Sequence, residues 1–234
     1  MKKKTLGFIA GLFLIVGVVQ SAYADVATDW YFDFQPDDPE AGMVEIAYYF
    51  DVATPNVVEL TMDENGDDFT FINNGSFAVA QTDGKFLPFM YMGLLTGVYT
   101  YNGDGQLSDG NVTFNSGILD LYFGGQPIAE LALTSGVGAI DQSGAPVNNE
   151  TFTIHYESNW LDPGYFYYSD GTDVATRGLS GFTTTNAVVL DREGDILTLG
   201  SNGQFFLSPV PVPSALLLLG SGIFGLVGFI RRNI

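Results

Sequence analysis

The segment Thr151-Phe152-Thr153-Ile154-His155-Tyr156 alternates polar and apolar residues without a break. In an extended chain successive side chains point to opposite faces, so Phe152, Ile154 and Tyr156 share one face and Thr151, Thr153 and His155 the other. One face is buried and one wet, the signature of a strand in an antiparallel sheet. His155, the only histidine of the chain, falls on the solvent side or at a sheet edge, which reads as a surface residue and not as a catalytic base.

Similar short runs recur on both sides, at 30–34, 43–50, 57–62, 68–72, 76–82, 97–101, 110–114, 117–123, 128–134, 150–157, 164–168, 187–190, 195–199 and 203–207. Apolar residues at helical spacing are scarce between them. Asn65-Gly66, Asn74-Gly75, Asn102-Gly103, Asp109-Gly110, Asp170-Gly171 and Asn202-Gly203 punctuate the runs, and such pairs tolerate the positive φ of tight turns. Residues 86–95 read as a strand or a short helix, and 178–186 as a polar, Thr-rich connection. The expected fold is all-β, an antiparallel β-sandwich or jelly-roll-like domain over residues 25–208. No internal repeat and no domain boundary divide it.

The chain has 234 residues, enough for one compact domain, and its 19 Phe, 12 Tyr and 2 Trp supply a core. It carries 27 acidic and 8 basic residues, unevenly placed. All the acids lie between Asp25 and Val210, where only Lys85, Arg177 and Arg192 oppose them. A body this acidic repels phosphate backbones, which excludes nucleic acid as a partner and favours cations. The absence of cysteine excludes disulfides, thiolate metal sites and cysteine nucleophiles.

Both ends read as addresses. Residues 1–24 combine three lysines, an apolar run from Leu6 to Val19 and the small residues Ala22 and Ala24, the three parts of a secretory signal peptide. Residues 215–230 are uncharged and apolar and precede Arg231 and Arg232. As a helix they would extend about 24 Å, against a hydrocarbon core of about 30 Å, and the apolar residues before them extend the reach. The expectation is a C-terminal hydrophobic, transmembrane helix with its arginines in the cytoplasm.

The order Val210-Pro211-Val212-Pro213-Ser214, then Ala215 to Gly222 with its Gly220-Ser221-Gly222 step, then Arg231-Arg232, resembles the PEP-CTERM sorting signal. Val212 stands where that family most often has Glu. The resemblance covers about the last 25 residues and the signal peptide, and leaves the body unexplained. It implies a Gram-negative exported protein, recognised by an exosortase-like membrane protease and associated with exopolysaccharide. Residues 209–234 are then the sorting signal, with Pro211, Val212, Pro213, Ser214, Arg231 and Arg232 as its marks. The implied course is an inner-membrane-anchored precursor, then the cell surface or extracellular matrix.

The body offers three candidate chemistries. Asp63, Asn65 and Asp67 have the first three spacings of a calcium loop, but Asp68 occupies the place of its glycine and Asn74 that of its closing Glu. A solvated, charged hairpin is the stronger reading, with calcium the alternative and no other cofactor expected. Asn102-Gly103-Asp104-Gly105 with Asp109 is a second oxygen-rich run, lacking an acid at Thr100. Trp160, Tyr165 and Tyr167, near Asn159 and Asp162, offer rings for stacking on sugar faces, and core packing explains them equally. No nucleophile elbow, zinc-protease motif or phosphate-cradling loop is present, and no carboxylate pair stands out. The expectation is a non-enzyme with a structural or adhesive role in exopolysaccharide, biofilm or floc formation. A carbohydrate-binding surface module is the alternative, and a secreted glycosidase a weaker one.

Overall fold

The computed structural model describes residues 26–36, 38, 42–147 and 152–208. Twelve strands run through them: β1 Trp30–Asp33, β2 Met43–Ile46, β3 Tyr49–Met62, β4 Asp68–Thr82, β5 Lys85–Phe86, β6 Leu95–Gln106, β7 Asn111–Phe123, β8 Gln126–Ala139, β9 Phe152–Leu161, β10 Phe166–Tyr167, β11 Ser180–Glu193 and β12 Ile196–Ser208. The eight long ones pair antiparallel in chain order, β3, β4, β6, β7, β8, β9, β11, β12. β12 then pairs back onto β3 from Phe206↔Tyr49 to Ile196↔Glu59. The sheet therefore closes on itself as an up-and-down barrel.

This corrects the expected sandwich or jelly roll. Two facing sheets would leave four edges, whereas the β12–β3 pairing satisfies the last pair of edge ladders and leaves one continuous wall. Three of the expected turns are also absent as turns. Asn74-Gly75, Asn102-Gly103 and Asn202-Gly203 lie inside β4, β6 and β12, so pairs of short runs fuse into long strands. Residues 178–186, expected as a connection, largely belong to β11, and 87–94 form a turn-rich loop and not a strand or helix.

The expected transmembrane helix, and the inner-membrane-anchored precursor it implied, receive the same correction. Among the described residues no helix is long and apolar enough to cross a membrane. The helical structure there is one 3-10 turn, Val174–Thr176, because the apolar residues recur at period two and so build strands. Residues 1–25 and 209–234, which contain the expected signal peptide, 1–24, and the expected sorting signal, 209–234, lie outside the described residues.

Inward and outward positions alternate cleanly along the wall. On β4, Phe69, Phe71, Asn73, Phe77 and Val79 are buried while Asp68, Thr70, Ile72, Asn74, Ser76 and Ala78 are exposed. An apolar inside and a mainly polar outside reverse the alternation of barrels that cross membranes. One end of the barrel is closed by a small sheet, β10-β1-β2. Trp30 meets Phe50 edge-on with ring centroids 4.9 Å apart, Phe32 meets Phe166 at 5.0 Å, and Phe34 stacks on Tyr91 at 4.6 Å.

Inside the wall, large rings lie over glycines of the neighbouring strand. Phe77 covers Gly97, Phe71 covers Gly103, Phe69 covers Gly105 and Phe152 covers Gly138, each so closely that a Cβ would collide with the ring. An eight-stranded barrel is just wide enough for its interior to be filled by side chains, so large and small residues must alternate around it.

Candidate functional site

The interior is not filled throughout. A cavity of about 100 Å³ lies among inward side chains of every wall strand but β8. Its apolar lining includes Leu60, Phe71, Phe114, Phe152, Leu197 and Leu199, and no Asp, Glu, Lys, Arg or His contributes to it. The roof is the turn 140–147, of which Ile140, Gly144 and Pro146 face the cavity. Asp141 builds that turn: its Oδ1 accepts from Ser143 N–H at 2.8 Å, Ser143 Oγ at 2.6 Å and Ala145 N–H at 3.0 Å. The Ser143 hydroxyl foremost, then the amides and the Arg192 charge, hold its carboxyl below the usual range. Arg192 Nη1 also donates to the Ser143 carbonyl, tying the roof to the end of β11.

Two polar groupings face the cavity. In the first, Tyr101 Oη meets Tyr156 Oη at 2.8 Å, and Tyr156 Oη meets Thr183 Oγ1 at 3.1 Å. Tyr101 stands on β6 and Tyr156 on β9, which are not neighbours, so this chain crosses the interior. Burial pushes the Tyr101 hydroxyl well up and the Tyr156 hydroxyl up to about 12, which keeps both neutral.

In the second grouping, Asn56 Nδ2 donates to Asn73 Oδ1 at 2.8 Å and Ser201 Oγ donates to Asn56 Oδ1 at 3.0 Å. Tyr99, stacked on Tyr101 at 4.5 Å, reaches over Gly75 toward Asn56. Gly75 has to be glycine here, because a Cβ would strike the Tyr99 hydroxyl end. Burial raises the Tyr99 hydroxyl strongly as well. Tyr99 and Asn73 are each 8% exposed. Among the described residues, no hydrogen-bond partner meets the Tyr99 hydroxyl or the Asn73 amide nitrogen. Both border the cavity space.

The residues singled out in the sequence lie elsewhere. Asp63, Asn65 and Asp67 form the β3–β4 hairpin, where Asp63 accepts from Asn65 Nδ2 and from the Asp67 amide, both at 3.1 Å. Asp67 accepts from the Ser108 amide and hydroxyl, each at 2.8 Å, which clips this hairpin to the β6–β7 turn. The two acidic runs do come together: Asp63, Asp68, Asp104 and Asp109 rim one shallow depression at a barrel end. Among the described residues, however, no three acidic or histidine side chains gather closely enough to hold a metal ion.

Trp160, Tyr165 and Tyr167 do not form one platform. Trp160 is 45% exposed on the outer wall, cross-strand from Glu130, whose carboxylate accepts from Asn159 at 2.9 Å. Tyr165 packs against Phe123 with centroids 5.6 Å apart, at the closed end, and Tyr167 pairs with Tyr31 in the small sheet. The sorting-signal residues Pro211, Val212, Pro213, Ser214, Arg231 and Arg232 lie outside the described residues. Sequence reasoning passed over Asn56, Asn73, Tyr99, Tyr101, Thr183 and Ser201. Their signal was present: Asn73 continues the inward series Phe69, Phe71, and a polar residue on the buried face of a strand needs a reason.

No protein-family model, no curated protein and no solved structure matches the chain.

Proposed function

We propose that this protein is a small-molecule-binding barrel that encloses a largely apolar ligand in its interior. The observation that carries the reading is an apolar cavity lined by Tyr99 and Asn73, each 8% exposed, whose hydroxyl and amide nitrogen meet no hydrogen-bond partner among the described residues. A barrel selected only for stability would fill this space, since each lost methylene of packing costs on the order of 1 kcal/mol. The size is of the same order as a dry, apolar cavity of about 150 Å³ that takes up benzene. The test is thermal unfolding of the full chain with and without toluene near saturation. Binding to the folded state alone raises the midpoint with ligand concentration, and a midpoint that stays put rejects the reading.

A second reading concerns the outer surface, and the exposure of Trp160 beside Glu130 and Asn159 favours it. In it the acidic barrel acts in the extracellular matrix in a structural or adhesive role, after handling by an exosortase-like protease, and Trp160 contacts polysaccharide. A glycan array probed with the wild-type chain and with Trp160→Ala tests it. Signal that survives the substitution excludes Trp160 as the contact. The two readings occupy opposite sides of the same wall and are tested independently.

A further inference from the structure

The accounting of polar atoms around the cavity says more than its size does. Tyr101, Tyr156 and Thr183 share two hydrogen bonds among three hydroxyls, which leaves one proton at an end of that chain. Asn56 both donates and accepts, and Ser201 has committed its proton. The hydroxyl proton of Tyr99 and the two amide protons of Asn73 are unspent. Hydroxyls can donate or accept, but the Asn73 amide nitrogen only donates, so an acceptor is the one group that can meet both Tyr99 and Asn73. Burying an unpaired donor costs roughly 1–3 kcal/mol, and an acceptor brought by a ligand recovers much of that.

Charge narrows the ligand further. No ionisable carboxylate, amine, guanidine or imidazole lines the cavity, so an ionised ligand would be buried without a counter-charge, at large cost. Anions are also opposed by the surrounding body, which carries nearly all of its charge as carboxylates. Apart from the Thr185 hydroxyl, the remaining wall, from Phe71 and Phe114 to Leu197 and Leu199, offers rings and aliphatic groups.

Resting on the interior-binding reading above, we infer that the ligand is an uncharged molecule with a ring-sized apolar body and one hydrogen-bond-accepting oxygen, a carbonyl being the best match, held by Tyr99 and Asn73. A carbonyl oxygen has two lone pairs and can take a proton from each. The apolar body then lies along the Phe and Leu lining, with the Gly75 row at its polar end.

The experiment compares acetophenone, ethylbenzene and benzoate, titrated calorimetrically at pH 7 into the full chain and into Tyr99→Phe. The first two differ in the acceptor, and the third adds a charge. Acetophenone is expected to bind about three- to ten-fold more tightly than ethylbenzene, the range one net hydrogen bond supplies, with benzoate weaker than both. In Tyr99→Phe the preference for acetophenone should shrink to about two-fold or less. This variant removes a hydroxyl that has no partner, so without ligand its unfolding midpoint should equal or exceed that of the wild type, which confirms that it is folded. Equal affinities for acetophenone and ethylbenzene, a preference that survives Tyr99→Phe, or tightest binding of benzoate overturns the acceptor inference while interior binding stands. Binding of none of the three overturns interior binding as well.

Discussion

The two ends of the barrel are built from the same strands and solve the packing problem in opposite ways. At the closed end, Trp30, Phe32, Phe50 and Phe166 interlock mostly edge to face. At the other, inward positions carry Ala187, Ser201, Thr185 and Asn73, and a void remains. One half spends its residues on density, and the other keeps space and hydrogen-bonding capacity in reserve. Natural domains depart from best packing where function requires it.

A matched pair of substitutions tests that contrast most directly. Leu131 is fully buried and stands apart from the cavity lining, while Leu199 lines the cavity. Leu131→Ala should cost about 4–5 kcal/mol in chemical denaturation and Leu199→Ala about 2–3, because Leu199 already lacks neighbours on one side. Equal costs would mean that the halves are packed alike and that the void closes in solution.

Glycines supply the next test. Gly103 lies under Phe71 and against the Thr113 carbonyl, so Gly103→Ala pushes on backbone and should cost about 2–3 kcal/mol. Gly66, at the β3–β4 turn, has φ +71° and open space around it, so Gly66→Ala should cost about 1 kcal/mol through backbone conformation alone. These two kinds of glycine also explain how far the sequence could be read. Gly66, Gly110 and Gly171 have positive φ and mark true turns, while Gly75, Gly103 and Gly203 do not and sit within strands. All six follow Asn or Asp, so local sequence does not separate them. What separates them is the close neighbour inside the sheet, a ring at Gly75 and Gly103 and Thr185 at Gly203, a tertiary fact.

Strand content and the inward face of 152–156 were therefore legible, because period-two alternation is local. Closure into a barrel was not, since it depends on β12 finding β3, about 150 residues earlier in the chain. The candidate site was hidden for the same reason. Asn56, Asn73 and Tyr99 come from three strands and acquire meaning only once Gly75 lets the tyrosine lie across them. The acidic hairpins were conspicuous in sequence because like charges cluster there, and their carboxylates serve largely as turn caps.

Filling the reserved space should separate function from fold. Ala187→Leu adds three carbons facing the cavity and should be neutral or stabilising by about 1 kcal/mol while abolishing the toluene-induced rise in melting temperature. A loss of more than about 2 kcal/mol would show that no room exists at that position.

The smallest expected effect lies in the dense half, at its one buried carboxylate. Asp33 is 4% exposed, and its Oδ1 accepts from the Gln35 amide at 2.8 Å. Burial raises its pKa above the usual carboxylate value despite that hydrogen bond, and the nearby Asp38 adds to the rise. A carboxyl that binds its proton more readily when folded opposes folding while ionised, so its contribution improves as pH falls through the raised value. Asp63, Asp141 and Asp170 have lowered values, and what they contribute is lost as pH falls through those values. Asp33→Asn keeps the oxygen that accepts from Gln35 and removes the buried charge. At pH 7 it should raise the melting temperature by a few degrees at most, about 1–3 °C. Over the range in which pH is lowered from 7 through that raised value, the advantage over wild type should shrink, because the wild-type group gains its proton there and the asparagine has nothing to gain. A melting-temperature difference that stays constant across that range would show that Asp33 does not titrate in the folded protein. The closed end would then contain a carboxylate whose cost its hydrogen bonds already offset.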